Sequence, residues 1–183
     1  MPRLYLIRHG EPAGTFTASR DPGLSPLGHE QAKAAAETLH AFGALDVISS
    51  PLKRAQETAA PYAALRGVKP RIATAVAEIP TPAHVGFEKR GDWLRGVMMG
   101  SWREAEPELR AWRTQVVAFL KDLPRDTAIF SHYVAINVAV AAARDDDRIT
   151  VFAPTHCSIT VLDATADALI EVELGRTGES VVR

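Results

Sequence analysis

The chain predicts an α/β fold, a three-layer αβα sandwich built on a mostly parallel central sheet with an antiparallel edge. Short apolar runs bounded by glycine, proline or serine alternate along it with longer helical patterns, the order that yields parallel strands covered on both faces. Three of these runs end in polar residues at a turn into the next segment, where open α/β sheets place their ligands. The final two runs are joined by the turn-like Asp163-Ala164-Thr165-Ala166-Asp167, which makes them a hairpin and supplies the antiparallel edge.

Taken in order, Leu4 to Ile7 is a buried strand that stops at Arg8-His9-Gly10. A helix follows over Pro26 to Phe42, with Ser25 as its N-cap and proline in its first turn. The strand Val47 to Ser49 leads through Pro51 into a helix over Leu52 to Leu65. Arg71 to Thr74 is a further strand, and Glu104 to Leu123 a helix. Ala128 to Phe130 is a strand ending in Ser131-His132, followed by a fully apolar helix from Val134 to Ala143. Strands over Ser158 to Leu162 and Leu169 to Leu174 close the chain. The least regular stretch, residues 81–102, is interrupted by Gly86, Gly91, Gly96 and Gly100 and carries exposed-looking Phe87, Trp93, Met98, Met99 and Trp102. Long irregular segments of this kind tend to be functional, so it is expected to shape substrate access.

Composition narrows the class of function. The 183 residues are 46% hydrophobic and are read as one domain spanning 1–183, with room for a substantial core. The net charge of −1 with no basic stripe argues against nucleic acid as a partner. A single cysteine, Cys157, cannot form an internal disulfide and reads as a small buried hydrophobe. No run reaches transmembrane length, and the apolar stretch at the N-terminus is too short for a signal peptide. The expectation is a cytoplasmic protein with no membrane association.

Chemistry concentrates at the three strand ends. Arg8 offers a fixed fork of donors suited to phosphate or carboxylate, and His9 a side chain able to act as nucleophile or proton carrier near pH 7. Arg54 falls in the first turn of its helix, beside backbone N–H groups and the positive dipole end, a place where cations are locally unfavourable unless an anion is to be bound. His132 occupies the same kind of junction as His9. The six histidines show neither a His-Glu-x-x-His pattern nor clustered Cys/His spacing, so no metal and no cofactor is expected.

Arg8-His9-Gly10-Glu11, the segment Asp21 to Ala32, Ser49 to Thr58, Glu78 and Ser131-His132 together resemble the histidine phosphatase superfamily, phosphoglycerate mutase-like, branch 1. The resemblance implies a nucleophilic His9 that forms a phosphohistidine, with its other ring nitrogen held by a backbone carbonyl, by position that of Gly10. It implies a phosphate cage of Arg8, Arg54 and a protonated His132, and Glu78 as the carboxyl group that protonates the leaving alcohol and deprotonates water. Glu88 is the rival for that task, whereas Glu11 and His156 are read as structural. The substrate is then a small phosphorylated molecule or a phosphoprotein. Lys89 and Arg90 are candidates to meet a second charged group on it.

The chain also departs from the family pattern. Tyr133 follows the second histidine in place of glycine, which narrows the pocket or adds a hydroxyl near the phosphate. Pro12 replaces the usual small polar residue, so an auxiliary phosphate contact is absent or moves to Thr15 or Thr17. The longer elements of glycolytic mutases are not recognisable, which favours a phosphatase over a mutase or phosphotransferase using the same site, or a non-catalytic phospho-ligand binder.

Overall fold

The computed structural model describes residues 1–14 and 19–178. Six strands form one sheet: β1 (Arg3–Arg8), β2 (Asp46–Ser49), β3 (Arg71–Ile72), β4 (Thr127–Ser131), β5 (Ile159–Ala164) and β6 (Leu169–Glu173), in the spatial order β3-β2-β4-β1-β5-β6. The first four in that order run parallel; β5 is antiparallel to β1, and β6 to β5. The expected α/β architecture with an antiparallel edge is therefore present.

Side-chain alternation along each strand feeds two cores. Tyr5 and Ile7 of β1 pack with Val47, Ala128 and Phe130 beneath α1 (Pro26–His40) and α2 (Lys53–Arg66), which contribute Ala36, Leu39, Ala59 and Tyr62. Leu4 and Leu6 point the other way, joining Ile48, Ile129 and Leu162 beneath α4 (Pro107–Lys121) and α5 (Tyr133–Ala143). Because α5 is apolar all round, it is buried along nearly its whole length, as a helix with no polar stripe must be.

Register places the site. Arg8 lies opposite Ser131 and Ser49 opposite Phe130, so β1, β2 and β4 end level with one another. The ladder continues one residue further on both sides: His9 N donates to Ser131 O at 3.0 Å and Ser50 N to Phe130 O at 3.0 Å. His9, Ser50 and His132 thus leave the sheet side by side.

Several boundaries differ from the sequence reading. The strand expected over Arg71 to Thr74 is only Arg71–Ile72, and Thr74–Val76 is a 3₁₀ turn instead, tied to β4 where Ser131 Oγ donates to the Val76 carbonyl at 2.7 Å. The helix read from Glu104 starts at Pro107, since proline at the first helical position fixes the entry. Segment 81–102 contains a helix that went unread, α3 (Arg90–Met98), obscured by Gly91 and Gly96. Its signal was the spacing of Leu94, Val97 and Met98, which pack toward the core. Trp102, exposed-looking in the sequence, is core-packed at 1% exposure, with its ring centroid 6.1 Å from that of Trp112; Met99 is exposed. Thr15 and Thr17 lie outside the described residues. Among the described residues no helix is long and apolar enough to cross a membrane.

One close approach holds the His9 turn in place. A Cβ on Gly28, in the first turn of α1, would lie 2.2 Å from the backbone oxygen of Glu11, and one on Gly10 would lie 2.7 Å from the Gly28 carbonyl. Backbone meets backbone, so neither side can rotate away. Gly28→Ala is expected to destabilise the protein by about 1–3 kcal/mol, as overpacking does, and to displace the His9 turn. A urea unfolding midpoint equal to wild type would overturn this reading.

Candidate active site

His9 emerges from β1 with its backbone already fixed, and its Nδ1 lies 2.7 Å from the Gly10 carbonyl oxygen. A carbonyl can only accept, so the neutral ring carries its proton on Nδ1 and leaves Nε2 bare. The Gly10 turn is latched from α2: Gly10 N donates to Thr58 Oγ1 at 3.0 Å, and the Thr58 hydroxyl donates to the Arg54 carbonyl at 2.7 Å. The residue that carries the second guanidinium therefore also anchors the turn that carries the first imidazole.

His132 is the residue before α5 and is fully buried. Its ring centroid is 5.2 Å from that of His9, with the rings tilted by 55°. Ser50 Oγ accepts from Leu52 N at 3.2 Å and lies 2.7 Å from His132 Nε2. Where the serine hydroxyl donates to Nε2, the His132 proton sits on Nδ1. That nitrogen is buried and has no hydrogen-bond partner among the described residues. Sequence reasoning passed over Ser50, although its place one residue beyond β2 on a level sheet edge was visible.

Arg8 donates through Nη1 to the Pro154 carbonyl at 2.8 Å, and its guanidinium carbon lies 5.1 Å from the Tyr133 ring centroid. Tyr133, where the family pattern has glycine, is therefore a platform for Arg8. Arg54 is buried at the start of α2, as its position in the sequence predicts. Glu78 follows the 3₁₀ turn and accepts from Ile79 N at 2.9 Å and Val134 N at 3.2 Å, so it caps the first turn of α5. Its charge acts on both Arg8 and Arg54.

The rival carboxylates lie elsewhere. Glu88 folds against Gly86, its Oε1 only 2.3 Å from where a Cβ would stand. Glu11 accepts from Ser25 Oγ at 2.8 Å while Ser25 accepts from Gly28 N at 3.0 Å, which makes Glu11 a support for the α1 cap, as read. Pro12 forms an isolated bridge with Leu24. His156, read as structural, brings a third imidazole within 5.8 Å of His9, centroid to centroid. Its neighbour Cys157 adopts φ 55°, a left-handed turn that carries the chain into β5. The Cys157 thiol is buried and pushed up to about 12, so it is a protonated hydrophobe as expected.

Burial governs the protonation of the site. His9 and His132 are both held well below the ordinary imidazole range, first by burial and then by Arg54 and Arg8. His156 is lowered to about 4, again by burial first and Arg8 second. Arg54 is lowered to about 10 and keeps its charge at neutral pH. Burial first, and then guanidinium charge, oppose the protonated His132 that the sequence reading expects around a bound phosphate. Among the described residues, no three His, Cys, Asp or Glu side chains group as metal ligands.

A mixed sheet and the helix that follows β2 bring two imidazoles and two buried guanidiniums together at one edge of an α/β fold, an arrangement suited to an anion. Residues 4–176 match the family model of the histidine phosphatase superfamily (branch 1), and the chain belongs to that family. It is similar over 97% of its length to a mycobacterial protein described as hydrolase 1, at 23% identity and TM-score 0.72, covering all of that chain. Mycobacterial glucosyl-3-phosphoglycerate phosphatase is similar at 22% identity and TM-score 0.71, over 97% of this chain and 100% of its own. Phosphoserine phosphatase of Entamoeba histolytica is similar at 21% identity and TM-score 0.72, over 97% and 98%. Among curated proteins, PE-PGRS family protein PE_PGRS11 of Mycobacterium tuberculosis is 40% identical over 80 residues, a match covering 40% of this chain and 14% of that protein.

The depressed imidazoles set the acid limb of stability. An unfolded histidine takes up a proton as pH falls through about 6.5, whereas these rings stay neutral when folded. Stability is therefore complete above that pH and declines below it. Urea unfolding at pH 7.5 and 5.5 should show a weaker protein at the lower pH, and a smaller difference in His132→Gln. An identical pH dependence in wild type and variant would contradict the assignment.

Proposed function

We propose that the protein is a metal-independent phosphatase that hydrolyses a phosphomonoester through a phosphohistidine on His9. The observation that carries this reading is the bond from His9 Nδ1 to the Gly10 carbonyl, which leaves Nε2 as an unprotonated nucleophile inside a cationic pocket. The Nε2 lone pair attacks phosphorus as the bond to the leaving oxygen breaks, and the proton brought in by the phosphomonoester monoanion passes through Glu78 to that oxygen. Water then attacks the phosphohistidine, Glu78 takes the proton back, the P–N bond breaks, and inorganic phosphate leaves.

The cage needs little beyond positioning and charge, since the transferring group spreads negative charge over its equatorial oxygens. Arg8 and Arg54 supply two cations, and His132 a hydrogen-bond donor at Nδ1. Binding of a phosphate dianion raises the affinity of His132 for a proton, so the protonated form belongs to the occupied site. Phosphatases among the structural neighbours support hydrolysis over transfer to a second substrate hydroxyl. The protein is further proposed to work in the cytoplasm on a small phosphorylated molecule or a phosphoprotein.

His9→Ala is expected to lower the hydrolysis of 4-nitrophenyl phosphate by at least about 10³-fold, whereas EDTA leaves the wild type active. Alkaline quenching with labelled substrate should trap base-stable, acid-labile phosphohistidine in wild type only. Full activity in the variant would sink the proposal, and label passing to an added alcohol in place of water would turn it toward phosphotransfer. Ser50→Ala removes one buried hydrogen bond and the control over the His132 tautomer. A fall in kcat of about 10- to 100-fold is expected, with KM changed much less.

A further inference from the structure

The turn that leads into β5 is built around Arg8. Its Pro154 carbonyl accepts from Arg8 Nη1 at 2.8 Å, Cys157 N donates to the Arg8 carbonyl at 2.9 Å, and Arg8 N donates to the Ser158 carbonyl at 3.2 Å. From the other side Thr155 N donates to the Arg176 carbonyl at 2.8 Å, so the turn is pinned on both flanks. It also carries strain. Cys157 sits at φ 55°, a left-handed conformation that an L side chain opposes and that glycine, asparagine or aspartate adopts more readily. Strained backbone persists only where its surroundings over-determine it, and it gathers at sites that bind or react. The residue held just before the strained position is His156.

His132 follows β4 and His156 precedes β5, the two strands that flank β1 in the sheet. The three imidazoles therefore occupy neighbouring strand ends, with centroids 5.2 and 5.8 Å from that of His9. His9 and His132 are buried, whereas His156 is half-buried and faces the opening of the site. Among the described residues its ring nitrogens make no hydrogen bond. We infer that His156 is a third phosphate-binding imidazole, whose ring N–H donates to the phosphoryl group held at His9. The inference rests on the reading of the His9 pocket as a phosphate site. A ring kept only for packing would need neither the strained turn nor an uncommitted N–H beside Arg8. Arg8 and Glu11 are the charges that act on His156, and with its titration lowered to about 4 the ring is neutral at pH 7. It thus keeps one N–H donor and brings no further positive charge to a pocket that already buries two guanidiniums. A hydrogen bond from such a donor to an anionic oxygen is of the strong, charge-assisted kind.

Binding of inorganic phosphate to the full chain tests this independently of turnover. In a titration at pH 7.5, followed through the imidazole nitrogen resonances and assigned in the wild-type protein, the His156 ring is expected to respond together with His9 and His132. Calorimetry should show phosphate binding weakened about tenfold or more in His156→Phe, which keeps an aromatic ring without the donor. In His156→Gln, which keeps an amide donor, the loss should be about threefold or less. A His156 ring that stays still while His9 and His132 respond overturns the inference. So does an affinity in His156→Phe equal to that of wild type, or an equal loss in both variants. The titration uses the wild type alone and decides the matter even if a substitution harms folding. Failure of the phosphate-site reading would appear differently, since none of the three rings would then respond to phosphate.

Discussion

The level ending of three parallel strands is the constraint on which the site depends. Because β4 is inserted between β1 and β2 and pairs with both in matched register, its last carbonyls receive the backbone N–H groups of His9 on one side and Ser50 on the other. A slip of one residue in either pairing would turn alternate side chains to the opposite face and carry His9 or Ser50 away from His132. Register in turn is held by burial on both faces, where Leu4 and Leu6 feed one core while Tyr5 and Ile7 feed the other. The hydrophobic pattern of four residues thus fixes the position of His9.

Charge in the site is arranged against the stability of the fold. Two guanidiniums and two imidazoles are buried together, and their mutual repulsion with desolvation keeps the rings neutral. Glu78 offsets part of this, and it also accepts from Ile79 N and from Val134 N in the first turn of α5, which fixes its place. An anion that binds the folded form alone would therefore stabilise the protein by mass action as well as react in it. Neutral imidazole is also the chemically useful state, since a protonated ring has no lone pair to attack with.

Much of this was legible in the sequence, and the parts that were not share a cause. Arg8, His9, Arg54 and His132 each stand at the end of an apolar run or the start of a helix, so the elements themselves announced the junctions. Ser25 and Pro26 marked α1 by capping chemistry that acts within a few residues. What escaped depends on contacts between distant segments. Ser50 takes its meaning from His132, 82 residues away, and His156 from its approach to His9. Gly28 needs a partner backbone, at Glu11, before its missing side chain matters. Helix α3 was hidden because Gly91 and Gly96 lower helix propensity locally, whereas packing of Leu94, Val97 and Met98 decides the outcome.

Tyr133 shows how a departure from a family pattern can be absorbed without loss of the site. Glycine at the first position of α5 would leave the Arg8 guanidinium with open space on that flank. The tyrosine ring fills it at 5.1 Å, a distance at which cation and aromatic face attract. Arg8 is thereby held between the Pro154 carbonyl and an aromatic face, with fewer rotamers to lose when an anion arrives. A ring that first reads as an obstruction in the pocket acts instead on the residue beside it, and the cage gains rigidity where glycine would have given room.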